Sequence, residues 1–367
     1  MSYKIIKEGF IHQCPPENAE EIAITGRCAV TQGGQVLCSY MTESGLSRND
    51  FVPNLAISSD AGESWQLRGQ IWPHLRERYS INVSISRSAD GTLFLFGSRT
   101  PRNKPGESFW SQETLGILQN ELVWSRSEDD GQTWSDPRPI SIPLPGAAES
   151  PAPLCPTLTG RWVAPYSPHN TFDPNLKVDL RHVVLMISDD QGKTWRHTSM
   201  IRVKEEDAYV AESWVTQLST GVLLGTTWHL RRGKGDDFPN AYALSTDNGQ
   251  SWGPTRATPI LGQSAALAPL DDGKVLFVYN QRRHGTPGVW LALAKPTDRD
   301  FGVQVNEVVW RAAVATQNAS SGKSTNWTDF AFGEPSVTVL PDHTALVAFW
   351  CIQPDGAGIR YVKLRLS

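Results

Sequence analysis

Six stretches of the chain repeat one pattern of apolar and polar positions. Each has a short, partly alternating run, then a turn (Gly-based in five of the six), then a run that is apolar almost throughout. They are RCAVTQGGQVLCSY from Arg27, NVSISRSADGTLFLFGSR from Asn82, APLCPTLTGRWVAPY from Ala152, ESWVTQLSTGVLLGTTW from Glu212, SAALAPLDDGKVLFVYN from Ser264 and EPSVTVLPDHTALVAFW from Glu334. Two β-rich runs joined by a tight turn predict a β-hairpin. In the first four units a third strand follows, such as the Val-Val-Leu-Met-Ile run before Ser188, and then a fourth. The last unit ends at IRYVKLRL without a fourth strand, which the N-terminal YKIIKEGF can supply.

A second repeat lies at the corners between third and fourth strands. SSDAGESW ends at Trp65, SEDDGQTW at Trp134, SDDQGKTW at Trp195 and STDNGQSW at Trp252. The aspartates Asp60, Asp129, Asp190 and Asp247 are 69, 61 and 57 residues apart, and KPTDRDFG around Asp298 reads as an eroded fifth copy. Asp accepts bonds from amides just downstream, Gly supplies positive φ, the Ser or Thr hydroxyl closes another local bond, and Trp packs beneath. The expectation is a hairpin corner pinned to its own unit. A calcium loop would need further carboxylates and a distal Glu, which are absent.

These octapeptides are Asp-boxes, or BNR repeats, and the chain resembles the sialidase superfamily from about residue 20 to the end. Six units of about 61 residues with four strands each predict an all-β fold, a six-bladed β-propeller with four-stranded antiparallel blades. The N-terminal strand closes the ring, and 1–367 forms a single domain.

Composition narrows the function classes. Hydrophobic residues are 39% and charged residues 20%, which suits a globular core. With 34 basic and 38 acidic side chains the net charge is −4, so no nucleic-acid footprint is expected. No apolar run is long enough to span a bilayer, so no membrane partner is expected. The start, MSYKIIKEGFIHQ, lacks a signal-peptide apolar region, which points to the cytoplasm unless a leader was removed. Five scattered cysteines without CxxC spacing predict reduced thiols rather than a zinc site. No cofactor is implied and no metal has sequence support.

The Asp-box corners mark one face of such a ring. Starts of first strands and ends of second strands meet at the other face, around the axis. The first-strand starts carry Arg27, Asn82, Glu149, Glu212, Gln263 and Glu334. Asn82 and Glu212 lie nine residues before their hairpin Gly, and Glu334 nine before His343 in that place. Second-strand ends carry Tyr40, Arg99, His169, His229 and Arg282. Residues 100–120 form an insertion long enough to build a pocket wall. Trp110, Trp214 and Trp228 are candidate sugar-stacking rings.

Glycoside cleavage commonly uses two carboxyl groups. Glu212, Glu334 and Glu149 are the candidates here. His169 and His229 are candidates for a base or for hydroxyl contacts, and Arg27, Arg99 and Arg282 for substrate anchoring. The sialidase resemblance implies three arginines on a substrate carboxylate, a Tyr nucleophile, a Glu that activates it and an Asp acid/base. Glu212 matches the activating Glu, Arg27 the first arginine and Asp50 the acid/base. The second arginine is replaced by Trp228, followed by His229. Glu334 stands in the Tyr place and Arg282 can stand for the third arginine. Without that Tyr, the resemblance implies an exo-acting glycoside hydrolase on a terminal sugar, acidic sugars included, with a carboxylate in the nucleophile's place. Related six-bladed exo-arabinanases offer an analogy. Asn82, Tyr166 and Gln263 complete the set of candidate binding residues. One alternative is a lyase acting on a uronate, with His169, His229, Tyr166 and Arg99 as its machinery. Another is a carbohydrate-binding propeller without catalysis. Whether the histidines or the glutamates lie nearest the axis separates the first two.

Overall fold

The computed structural model describes residues 3–15, 21–232, 236–318 and 327–366. Its main strands fall into six antiparallel sheets, the blades of a six-bladed propeller. The innermost strands are Ile22–Val30, Tyr79–Arg87, a third split into Ala147–Glu149 and Cys155–Pro156, then Ala208–Gln217, Ala265–Pro269 and Phe332–Val339. Inner strands of neighbouring blades pack side by side around the axis, so that blade one lies between blades six and two. Core side chains such as Phe94, Phe96, Phe277 and Phe349 are buried between sheets.

Both ends of the chain build blade six. Tyr3–Gln13 pairs antiparallel with Gly356–Leu366, from Tyr3 opposite Leu366 to Gln13 opposite Gly358. Closure leaves the ring without an open seam between first and last blades.

The four Asp-box corners repeat one geometry. The carboxylates of Asp60, Asp129, Asp190 and Asp247 accept the amides of Ser64, Thr133, Thr194 and Ser251 at 2.8–2.9 Å. Bonds from the hydroxyls of Ser64, Thr194 and Ser251, together with these amide bonds, hold Asp60, Asp190 and Asp247 below the usual carboxylate range. The residue before each Gly has φ of 55–60°, and the Gly itself 80–86°. Each corner reaches beyond its own blade. A Cβ on Gly62 would touch Leu346 of blade six, one on Gly131 Leu37 of blade one, one on Gly192 Trp124 of blade two, and one on Gly249 Leu185 of blade three. Asp130 also accepts the amides of Gln32 and Gly33 in the hairpin of blade one, both at 3.1 Å. The corners therefore latch blade to blade, where the octapeptide alone suggested a contact within one unit.

In the fifth corner a different aspartate acts. Asp300 caps the Gly302 amide, and the Thr297 hydroxyl takes the amides of Arg299 and Asp300 at 3.2 and 3.1 Å. Phe301 is buried beneath it.

Candidate active site

Three inner strands break their ladder at the same level. Pairing slips by one residue between Ile24 and Arg27, between Ala211 and Trp214, and between Gly333 and Ser336. At each slip one residue is left-handed: Thr25 at φ 60°, Glu212 at 49° and Glu334 at 46°. A bulge inserts one residue and re-aims its side chain, and such strain concentrates at functional sites. Glu212 and Glu334 are thus equivalent to Thr25, while Arg27 lies two residues further along. Asn82 stands in an unbroken ladder opposite Ser98.

Blade three reaches the same level by another route. Pro151 and Pro153 lack ladder donors and divide its inner strand after Glu149. The freed Pro151 carbonyl accepts Nε of Arg27 at 3.2 Å and the Ser84 hydroxyl at 2.7 Å.

An axial cavity of about 200 Å³ opens above these bulges. Glu43, Glu149, Glu212 and Glu334 line it together with Arg282, Arg283 and His169. Its apolar wall includes Phe109, Trp110, Trp228, Trp327, Phe330 and Trp350. Phe109, Trp110 and Ile117 come from the insertion after Arg99, whose Trp110–Ser111 and Gly116–Ile117 strands form a small hairpin. Trp110 meets the His169 ring at 5.8 Å and the Trp327 ring at 6.3 Å, both edge to face.

The carboxyls differ in their surroundings. Glu149, Glu212 and Glu334 keep some accessible area because they face the cavity, yet all lie deep beneath the protein surface. Burial, and then the charge of Glu212, pushes Glu149 up to about 8, although its Oε2 accepts the Glu212 amide at 2.7 Å. Among the described residues the leading influences on Glu149 include no guanidinium. Glu334 is pushed up to about 7 by burial, with Arg27 and Arg282 pulling the other way. Glu212 is raised by burial, but the Ser264 hydroxyl, Arg282 and Arg27 all favour its charged form. Burial and then Asp50 raise Glu43 well above the carboxylate range, and its Oε1 has no partner.

The other candidate residues have these places. Arg282 is in the wall, 3.6 Å above the Phe330 ring, and donates Nη1 to the Phe332 carbonyl at 2.8 Å. Trp228 is in the wall and donates its indole N–H to Asp237 at 2.8 Å. Asn82 also lines the cavity. Arg27 lies beneath the described wall, donating to the carbonyls of Gly26, Pro151 and Glu334, the last at 2.7 Å. Gln263 is buried and accepts the Arg282 amide at 3.0 Å, which sets the backbone that carries that arginine.

Besides Arg27 and Gln263, further candidates fall outside the described wall. Asp50 caps its own loop by accepting the amide and hydroxyl of Ser44. Arg99 pairs with Glu121 at 2.7 Å and stacks on Tyr79. Tyr166 is buried in the core beside Trp162. His229 stacks on Phe238 at 4.5 Å, 3.5 Å from the Glu205 carboxylate. Trp214 lies beneath Arg27, at 5.6 Å from its guanidinium.

Two charged wall residues escaped the sequence reading. Glu43 closes the second strand of unit one, three residues after Tyr40, and a longer strand there would have found it. Arg283 follows Arg282 directly, and its Nη1 binds Asp237 at 3.0 Å.

The ring and its axial cavity define a six-bladed β-propeller. Residues 68–312 match the family described as a BNR repeat-like domain, and the chain belongs to that family. No curated protein matches the chain by sequence. Among solved structures, a protein of unknown function from Dyadobacter fermentans superposes with a TM-score of 0.77 at 18% identity, covering 100% of this chain and 99% of that one. A Hadza microbial sialidase gives 0.71 at 15% identity, covering 98% of this chain and 68% of that one. An α-L-arabinofuranosidase of Fusarium graminearum, solved with arabinobiose, gives 0.62 at 14% identity, covering 98% of each chain. At these identities the likeness is one of fold.

Proposed function

We propose that the chain is an exo-acting glycoside hydrolase that removes a terminal sugar inside the axial cavity. One observation carries this. Three buried glutamates converge there with unequal partners, since hydroxyl and guanidinium groups favour the charged form of Glu212 while Glu149 faces the charge of Glu212, as an acid and a carboxylate require. The cavity volume of about 200 Å³ suits roughly one sugar ring, below the ~300–1,000 Å³ of larger ligand clefts.

Glu149 is the proton donor in this reading, since burial and the charge of Glu212 keep it protonated near neutral pH. It protonates the glycosidic oxygen as the bond to the anomeric carbon breaks. Glu212 is the carboxylate, held charged by Ser264, Arg27 and Arg282. It takes the anomeric carbon itself or deprotonates the water that does. In the first case Glu149 deprotonates a water that displaces Glu212 from the anomeric carbon, which restores both groups; in the second Glu212 takes the water's proton and returns it through solvent to Glu149. Glu334 lines the same cavity, and the charge of Glu212 is one of the influences that raise it.

The lyase alternative has less support, because His229, Tyr166 and Arg99 are engaged away from the described wall, and only His169 of that set faces the cavity. Activity of the fold's glycosidase members adds support by analogy.

A product assay tests the proposal. Arabinosides, rhamnosides, sialosides and uronic-acid oligosaccharides are followed for released sugar and for the ultraviolet absorbance of an unsaturated uronide. Sugar release without absorbance is expected. Absorbance would replace hydrolysis with elimination.

A further inference from the structure

We infer that the cavity selects a terminal sugar without an anionic group. This rests on the reading of the cavity as a glycoside-cleaving site and adds the substrate's charge to it.

On the described wall four carboxyl groups, Glu43, Glu149, Glu212 and Glu334, face two guanidiniums, Arg282 and Arg283. Both guanidiniums are engaged. Arg283 is enclosed and bound to Asp237 at 3.0 Å. The Asp237 carboxylate is itself fully enclosed, and also holds the Trp228 indole and the His284 ring, each at 2.8 Å. Arg282 is stacked on Phe330, donates to a backbone carbonyl and faces Glu212 and Glu334. Beneath the wall, Arg27 is directed at three carbonyls and the same two glutamates.

A sugar carboxylate needs guanidinium donors in a bidentate fork. To obtain them here it would have to break the Asp237 pair or displace a backbone carbonyl that now holds the guanidinium, then lie beside the Glu212 carboxylate. A buried anion left without such a fork, next to a like charge, loses several-fold to many-fold in affinity. An uncharged sugar meets a better match. Its hydroxyls can donate to the carboxyls that line the cavity. Its C–H faces can lie on Trp110, Trp228 and Trp327. A sugar analogue with a ring ammonium would gain attraction from the same carboxyls.

Tryptophan fluorescence titration of the intact protein tests this with pairs that differ in charge. Suitable pairs are galacturonate oligosaccharides against their methyl esters, glucuronides against glucosides, and sialyllactose against lactose. Arabinobiose and a protonated iminosugar are added, and every compound is also assayed for cleavage. Neutral members are expected to bind at least about tenfold more tightly than their acidic partners, and the iminosugar more tightly still. Acidic members binding equally well or better overturn the inference and leave the hydrolase reading standing. Neutral members that bind while nothing is cleaved uphold the charge selection and overturn the hydrolase reading. No binding by any compound overturns both.

Discussion

Glu149 holds a proton because desolvation and the neighbouring Glu212 disfavour its charge. Its folded affinity of about 8, against an ordinary 4.5, sets the sign of two pH effects. The stability that the protonated form contributes is whole below about 4.5 and is lost as pH rises to about 8, because the folded state then binds more protons than the unfolded chain. Glu149→Gln should therefore be more stable than the parent at alkaline pH, with a Tm gap that widens between pH 5 and 8. Scanning calorimetry across that range checks it, and a pH-independent gap would refute the assignment. In the parent, turnover should fall as pH rises through about 8. Glu149→Gln should lose roughly 10²–10⁴ of kcat on sugars with poor leaving groups. It should lose far less on activated aryl glycosides, which need no protonation. Glu212→Gln should be inactive on both.

The bulge is the element that turns a strand into a site. In a regular ladder successive side chains alternate faces, and one inserted residue reverses that order. Glu212 and Glu334 accept left-handed backbone, which costs an L-residue roughly 1–2 kcal/mol, and Gly has no such cost. Glu212→Gly should raise unfolding free energy by about 1 kcal/mol while abolishing turnover. Denaturant titration of both proteins decides this, and a loss of stability would refute the strain. The Asp-box corner is a second working element. A Cβ on Gly131 would lie 2.4 Å from Leu37 Cδ1, on a residue at φ 83°. Gly131→Ala should cost about 2–3 kcal/mol and loosen blade one from blade two. Gly160, which has open space around it, should tolerate Ala with only the cost of its left-handed φ. Equal losses at the two glycines would remove the blade-to-blade role of the corner.

At the scale of the whole molecule, the ring depends on residues far apart in sequence. Tyr3–Gln13 completes blade six, and without it Gly356–Leu366 becomes an unpaired edge. Deleting residues 3–13 should lower Tm by at least about 5 °C, at ~1 kcal/mol per lost hydrogen bond and roughly 2–4 °C per kcal/mol, and should promote aggregation. Supplying the segment as a separate peptide should recover part of that loss. An unchanged Tm would show that closure lies elsewhere.

Repetition made the architecture legible. Six hairpin patterns and four Asp-boxes state their turn chemistry locally, so blade number and corner positions could be read from residues near one another, and ring closure from the strand the last unit lacks. Glu149, Glu212 and Glu334 could be picked out because each stands near the start of an inner strand. What escaped depends on distance across the ring. A one-residue bulge makes Thr25, rather than Arg27, the counterpart of Glu212, and residue counting along a strand cannot see it. Whether an arginine is available to a ligand depends on its partners. Arg283 is held by Asp237, Arg99 by Glu121, and Arg27 by the carbonyl that a proline break in blade three sets free. Local turn chemistry thus determined the fold, while the inventory of charge at the axis was decided where six blades meet, because burial and pairing belong to neighbours that only the closed ring brings together.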